Sequence, residues 1–259
     1  TYDRNAIDLL IYAGVYRDEF ICEPAIAAMV VGTLHMRDTI QSPRDKKLFS
    51  FDLLNGPVGF LNACYVATGM IAAHKATTAM IVASEVENNR DILPTELLGI
   101  EETGSAVILD ASPDGRTGFG NFVFKYFPEY SDTFTSYTQF YQGKTCLRSE
   151  KDPRLETLYQ RCIRDTVHEL LRTEQLDMAQ VKVILPPQIS TSFIDELSRM
   201  MEIDRHSFID VGASHDLYTS SLPYALQAVS EQGIATTGDI GLIIAVGPGI
   251  QVGCASYYF

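Results

Sequence analysis

The chain has 259 residues, and Lys+Arg of 20 against Asp+Glu of 33 gives a formal charge of 20 − 33 = −13. A protein this acidic repels polyanions, which argues against nucleic-acid binding, while 46% apolar residues supply a full core and argue against disorder. No apolar run reaches the ~18 residues of a membrane span, and the segment 1–6 (TYDRNA) lacks the basic and apolar blocks of a secretion signal.

Taken in chain order, residues 7–13 (IDLLIYA) predict a buried parallel strand closed by Gly14, and 24–34 a helix opened by Glu23-Pro24. Residues 48–54 read as the next strand and 57–75 as a helix apolar on nearly every side, hence buried. Residues 78–84 return as a strand, and 105–110 with 118–126 read as a hairpin around Pro113-Asp114-Gly115. The tyrosine-rich stretch 126–141 reads as a loop packed over a cavity or an interface. Beyond it come a helix at 155–171, a strand at 181–185, a helix at 191–201, a strand at 208–211, a helix at 217–232, and strands at 240–246 and 251–258.

The same order of elements therefore occurs twice, which predicts an α/β fold of two related halves, 1–130 and 131–259. The second half carries a full helix before its first apolar strand and the first does not, so symmetry predicts that an opening strand and helices are missing from the chain's start. Five scattered cysteines, odd in number and without a CxxC pair, fit reduced thiols of the cytoplasm rather than disulfides or zinc. His35, His74, His168 and His206 show no ligand spacing, and no metal is expected.

The blocks IDLLIYAG, FDLLNGPVGFLNACYVATGMI, TAMIVASEV, ETGSAVILDAS, VKVILPPQIS, HDLYTSSLPYAL and GDIGLIIAVGPG, in this order, resemble the thiolase superfamily, and within it the ketoacyl-acyl-carrier-protein synthase III branch of condensing enzymes. The resemblance runs from Ile7 to Phe259. It implies a duplicated thiolase-like fold with α/β/α/β/α layers, and a homodimer or a heterodimer with a homologous subunit. It also implies an acyl thioester of coenzyme A or acyl carrier protein as substrate with no further cofactor, and a place in fatty-acid or polyketide metabolism.

The family's chemistry rests on a cysteine that takes up the acyl group, with a histidine and an asparagine that stabilise the oxyanion. The cysteine's place falls on Pro57, the histidine's on Pro187 and the asparagine's on Asp216. Ser190 stands for the asparagine that ends the histidine block. Proline has no atom that attacks a carbonyl, so ordinary condensation is not expected. Cys64, two turns into the helix, reads as packing or as an unusual nucleophile.

Asp216 next to His215 forms the candidate catalytic pair: Asp216 either accepts a proton from an acceptor hydroxyl or caps the helix that follows. The resemblance makes Asn55, Pro57, Gln188, Ser190, Gly247 and Gly249 candidate substrate-binding residues, although Pro248 removes one backbone donor between the two glycines. Glu23 is either a base offered to a neighbouring subunit's cavity or a solvated helix charge. Arg148, Lys151 and Arg154, within a basic segment that also holds Lys144, Arg161 and Arg164, either dock an acidic carrier or form a solvated face. Two functions remain open: acyl transfer without a cysteine nucleophile, or a catalytically inactive subunit that supports a condensing-enzyme partner.

Overall fold

A computed structural model describes residues 2–36, 48–113, 115–212 and 215–259. The first sheet has strand order β2-β1-β3-β4, from Leu9–Tyr12 (β1), Phe49–Asp52 (β2), Thr78–Glu85 (β3) and Thr103–Asp110 (β4). β1 runs parallel to β2 and β3, and β4 pairs antiparallel with β3. Helix α1 (Ile26–Thr33) connects β1 to β2, and α2 (Gly59–Ala72) connects β2 to β3.

Gly118–Tyr126 (β5), Val181–Leu185 (β8), Ile240–Gly247 (β9) and Gln251–Tyr258 (β10) build a second sheet of order β5-β10-β9-β8. β8 is parallel to β9, and β10 is antiparallel to both β9 and β5. Between β5 and β8 in sequence come an antiparallel arm of β6 (Phe134–Tyr141) and β7 (Lys144–Lys151), and then α3 (Leu155–Glu174). Helices α4 (Thr191–Met201) and α5 (Ser221–Gln232) complete the second half.

Strand alternation sets the layers, because successive side chains point to opposite faces. Leu9 and Ile11 of β1, Val183 and Leu185 of β8, and Ile243 of β9 share one core with Phe60, Leu61 and Ala63 of α2 and Leu222, Ala225 and Val229 of α5. Both central helices thus lie between the sheets. Leu10 and Tyr12 of β1 face the other way, onto Ala27 of α1. Ile184 of β8 and Leu242 and Ile244 of β9 pack on Ile163 and Val167 of α3 and Phe193 and Leu197 of α4. The layers run α1, first sheet, α2 with α5, second sheet, α3 with α4, which is the order the resemblance implies.

Several sequence expectations are corrected. β4 and β5 are not a hairpin: they enter different sheets, because β5 carries Phe119, Phe122 and Phe124, which pack on Tyr65 of α2 and Tyr257 of β10. Asp114 of the expected turn lies outside the described residues. The tyrosine-rich stretch is not a loop but largely β6, turned into β7 by Gln142 and Gly143, both at positive φ. Residues 208–211 form a single bridge, Ile184 to Phe208, rather than a strand. Helix α1 starts at Ile26, where the Asp52 carboxylate accepts from the amides of Ile26 (3.0 Å) and Ala27 (2.8 Å), so Pro24 precedes it.

Candidate active site

The loop between β2 and α2 turns at Gly56, whose φ of 53° is in the left-handed region that glycine tolerates best. A Cβ at Gly247 would meet Pro57 Cδ at 3.1 Å, and one at Gly56 would meet Pro248 Cδ at 3.5 Å, so the Pro57 loop seats tightly on the β9–β10 turn. Asn55 fixes this seat: its amide exchanges bonds of 2.8 and 2.6 Å with that of Gln251 and donates to Asn62.

Pro187 follows β8, and Gln188 turns inward behind it. The fully buried Gln188 amide donates to the carbonyls of Pro186 and Ile209 (both 3.0 Å) and accepts from the amides of Val211 (2.8 Å) and Gly212 (3.2 Å). Every polar site of this side chain is occupied within the fold, as burial demands. Ser190 caps α4, its hydroxyl accepting from Phe193 N at 3.1 Å. The expected substrate contacts at Asn55, Gln188 and Ser190 are therefore taken up by the protein's own groups.

A cavity of about 530 Å³ brings together Pro57, Pro187, Asp216 and Pro248 with Lys151, Glu156, Tyr159, Tyr218 and Ser221, among other residues. Asp216 accepts from Tyr218 N at 2.8 Å, just ahead of the short 3-10 turn Tyr218–Ser220, and it still lines the cavity. Asp216 does not cap α5, whose cap position is Ser220 with no side-chain cap bond. Burial pushes the Asp216 carboxyl up to about 6, against the opposing pull of the Tyr218 amide and Lys151.

His215 lies elsewhere: it is exposed, with Nδ1 3.3 Å from a carboxylate oxygen of Glu101, and it does not line the cavity. Cys64 is fully buried in the central core, where burial drives its thiol far above the usual range, so it is a packing residue and not a thiolate. Glu23 is exposed ahead of α1 and outside the cavity wall.

The basic segment divides. Arg148 pairs with Glu96 and Arg154 with Asp152, whereas Lys151 sits at the cavity with its ammonium over the Phe134 ring, 5.4 Å from the centroid. Among the described residues no group of three or more His, Cys, Asp or Glu could hold a metal ion, and no helix is long and apolar enough to cross a membrane.

Sequence reading missed Tyr159, Tyr218 and Glu156 as cavity residues, since a tyrosine or a glutamate on an amphipathic helix carries no signal of its own. It also missed Glu85, which is buried and accepts from the amides of Val15 and Tyr16 and from the Thr219 hydroxyl behind the cavity. Burial pushes its carboxyl up to about 7.

The family model described as 3-Oxoacyl-[acyl-carrier-protein (ACP)] synthase III C terminal matches residues 171–259. The beta-ketoacyl-[acyl-carrier-protein] synthase III of Rickettsia akari is 25% identical over 261 aligned residues, covering 97% of this chain and 77% of the relative. A variant of Xanthomonas campestris OleA with bound lauric acid and lauroyl-CoA superposes at a TM-score of 0.79 with 18% identity, over 99% of this chain and 77% of that one. The 3-oxoacyl-[acyl-carrier-protein] synthase III of Aquifex aeolicus gives 0.78 with 18% identity, over 99% and 78%. The C-terminal part of the chain matches the ketoacyl synthase III family model, and nearly its whole length is similar to ketoacyl synthase III enzymes. Its fold is thiolase-like, and the cavity lies where the sequence blocks of the ketoacyl synthase III resemblance converge, at Pro57, Pro187 and Asp216.

Proposed function

We propose that this protein binds an acyl thioester in the cavity at Pro57, Pro187 and Asp216, and transfers the acyl group directly to an acceptor without a cysteine intermediate. The observation that carries this reading is that the cavity stays open, at about 530 Å³, although no side chain in it can form an acyl-enzyme thioester. Asp216 is the base: a carboxylate whose pKa is raised to about 6 is matched to taking a proton from an acceptor near neutral pH. The acceptor's O–H or N–H loses its proton to Asp216 as its heteroatom attacks the thioester carbon. Collapse expels the thiolate, which regains that proton.

The donor is a thioester of coenzyme A or acyl carrier protein, and the setting is cytoplasmic fatty-acid or polyketide metabolism. A carrier would meet Lys151 at the cavity rim, because Arg148 and Arg154 are already paired with carboxylates. Assembly as a homodimer, or with a homologous subunit that Glu23 faces, belongs to the same proposal.

A second reading is favoured by the prolines. Pro57, Pro187 and Pro248 line the cavity without a single backbone N–H, which suits a catalytically inactive subunit supporting a condensing partner. Turnover assays with acyl-CoA donors and a panel of alcohol and amine acceptors separate the two. Transfer by the isolated protein, abolished in Asp216→Ala, supports the first reading; activity only in a mixed complex with a homologous subunit, unaffected by Asp216→Ala, overturns it.

A further inference from the structure

Direct acyl transfer needs a hydrogen-bond donor for the oxygen that becomes negative when the thioester carbon is attacked, and the sites that resemblance points to offer none. Pro187 replaces a side-chain donor, Asp216 offers an acceptor, and Pro248 removes a backbone amide. Among the cavity's other polar groups, Ser221 already donates to Tyr218 O (2.9 Å) and accepts from Gln188 N (3.2 Å). Thr157 and Lys151 are solvent-exposed at the rim. Tyr218 packs on Tyr16 with ring centroids 5.2 Å apart and the planes tilted by 47°, and its hydroxyl is hydrogen-bonded to that of Tyr16.

Tyr159 differs from all of these. It stands in the first turns of α3, is 7% exposed, and lines the cavity. Among the described residues its hydroxyl has no hydrogen-bond partner. A hydroxyl on a cavity wall that is not committed to the protein's own groups is suited to a ligand that accepts its hydrogen bond.

We propose that Tyr159 is the oxyanion donor of this site, its phenol donating to the acyl carbonyl oxygen of the bound thioester while Asp216 takes the acceptor's proton. This rests on the acyl-transfer reading. The phenol keeps its proton throughout: burial, with the charges of Asp216 and Glu156 nearby, holds it well above its ordinary value, so it serves as a donor at any working pH. Electron density moves from the carbonyl π bond to the oxygen during attack and returns when the C–S bond breaks; Tyr159 gains and loses nothing.

Two measurements on the intact protein and Tyr159→Phe test this. In steady-state transfer, Tyr159→Phe should lower kcat about 100-fold with KM for the donor changed less than about threefold, as expected when a preorganised oxyanion donor is removed. In infrared difference spectra of a bound carbon-13-carbonyl octanoyl thioester of N-acetylcysteamine, the carbonyl stretch should shift to lower frequency in the parent protein and return toward its solution position in Tyr159→Phe. Transfer that proceeds equally well in Tyr159→Phe overturns the role of Tyr159 and leaves acyl transfer standing. A carbonyl shift that depends on Tyr159 in a protein without turnover supports the donor and overturns acyl transfer. Failure of the thioester to bind, or a carbonyl frequency unchanged by the substitution, overturns the proposal.

Discussion

The two halves are built alike and equip the cavity differently. Each sends a buried central helix between the sheets, α2 in the first half and α5 in the second, and each helix start reaches the cavity. Ahead of α2 stand Gly56 and Pro57, whose side chains neither ionise nor donate, and Pro57 is the only cavity residue, among those described, from the first half. Ahead of α5 stand Asp216 and Tyr218, joined by Glu156, Tyr159 and Lys151 from the same half. The two halves supply similar scaffolds, and one of them supplies the cavity's ionisable side chains. Proline on one side therefore leaves the pocket open, because the polar wall lies on the other.

The first way to break this contrast is at Asp216. Asp216→Ala should reduce acyl transfer by at least about 100-fold, the scale of a lost general base, whereas Pro57→Ala should stay within about threefold. Comparable losses from both would mean that the halves share the chemistry. Gln188 tests the scaffold side: Gln188→Ala leaves two carbonyls and two amides without their partner and should destabilise the fold by about 3 kcal/mol in denaturant unfolding. A Gln188 that mainly bound substrate would show its effect in KM with stability unchanged.

The pH dependence sharpens the contrast next. Glu85 and Asp216 are held by burial at about 7 and about 6, above their ordinary values, so the folded chain binds their protons more tightly than the unfolded chain does. Their contribution to stability is full below the ordinary carboxylate range, declines as pH rises toward the folded values, and is flat above them. Tm should accordingly fall by a few degrees between about pH 5 and pH 8, and this fall should shrink in Glu85→Gln. Transfer should run in the opposite sense, rising through about pH 6 as Asp216 ionises. A rate that falls over this range would remove Asp216 as base.

Much of the scaffold was legible because it is written in local periodicity. β8, α4 and β10 fall where apolar runs and alternation place them, whereas the layering of two sheets around central helices came from the resemblance. What escaped was decided at long range. Pro113-Asp114-Gly115 is a turn signal, but the partner of β5 is chosen by the packing of Phe119, Phe122 and Phe124 on Tyr65 and Tyr257, which no local pattern records. The β6–β7 arm did leave a trace in Gln142-Gly143, a pair able to take the positive φ of a tight hairpin. At the site, Pro57 and Asp216 were found through the resemblance, whereas Tyr159 was hidden: on α3 it sits among Leu155, Leu158 and Cys162 and reads as one more core position.

The central claim is transfer without a covalent intermediate, and intact-protein mass spectrometry during turnover tests it most directly. With an acyl-CoA donor and a productive acceptor, product should accumulate while the protein keeps its unmodified mass at every time point, and product should vanish in Asp216→Ala. A protein that gains the mass of the acyl group before product forms would contradict the account.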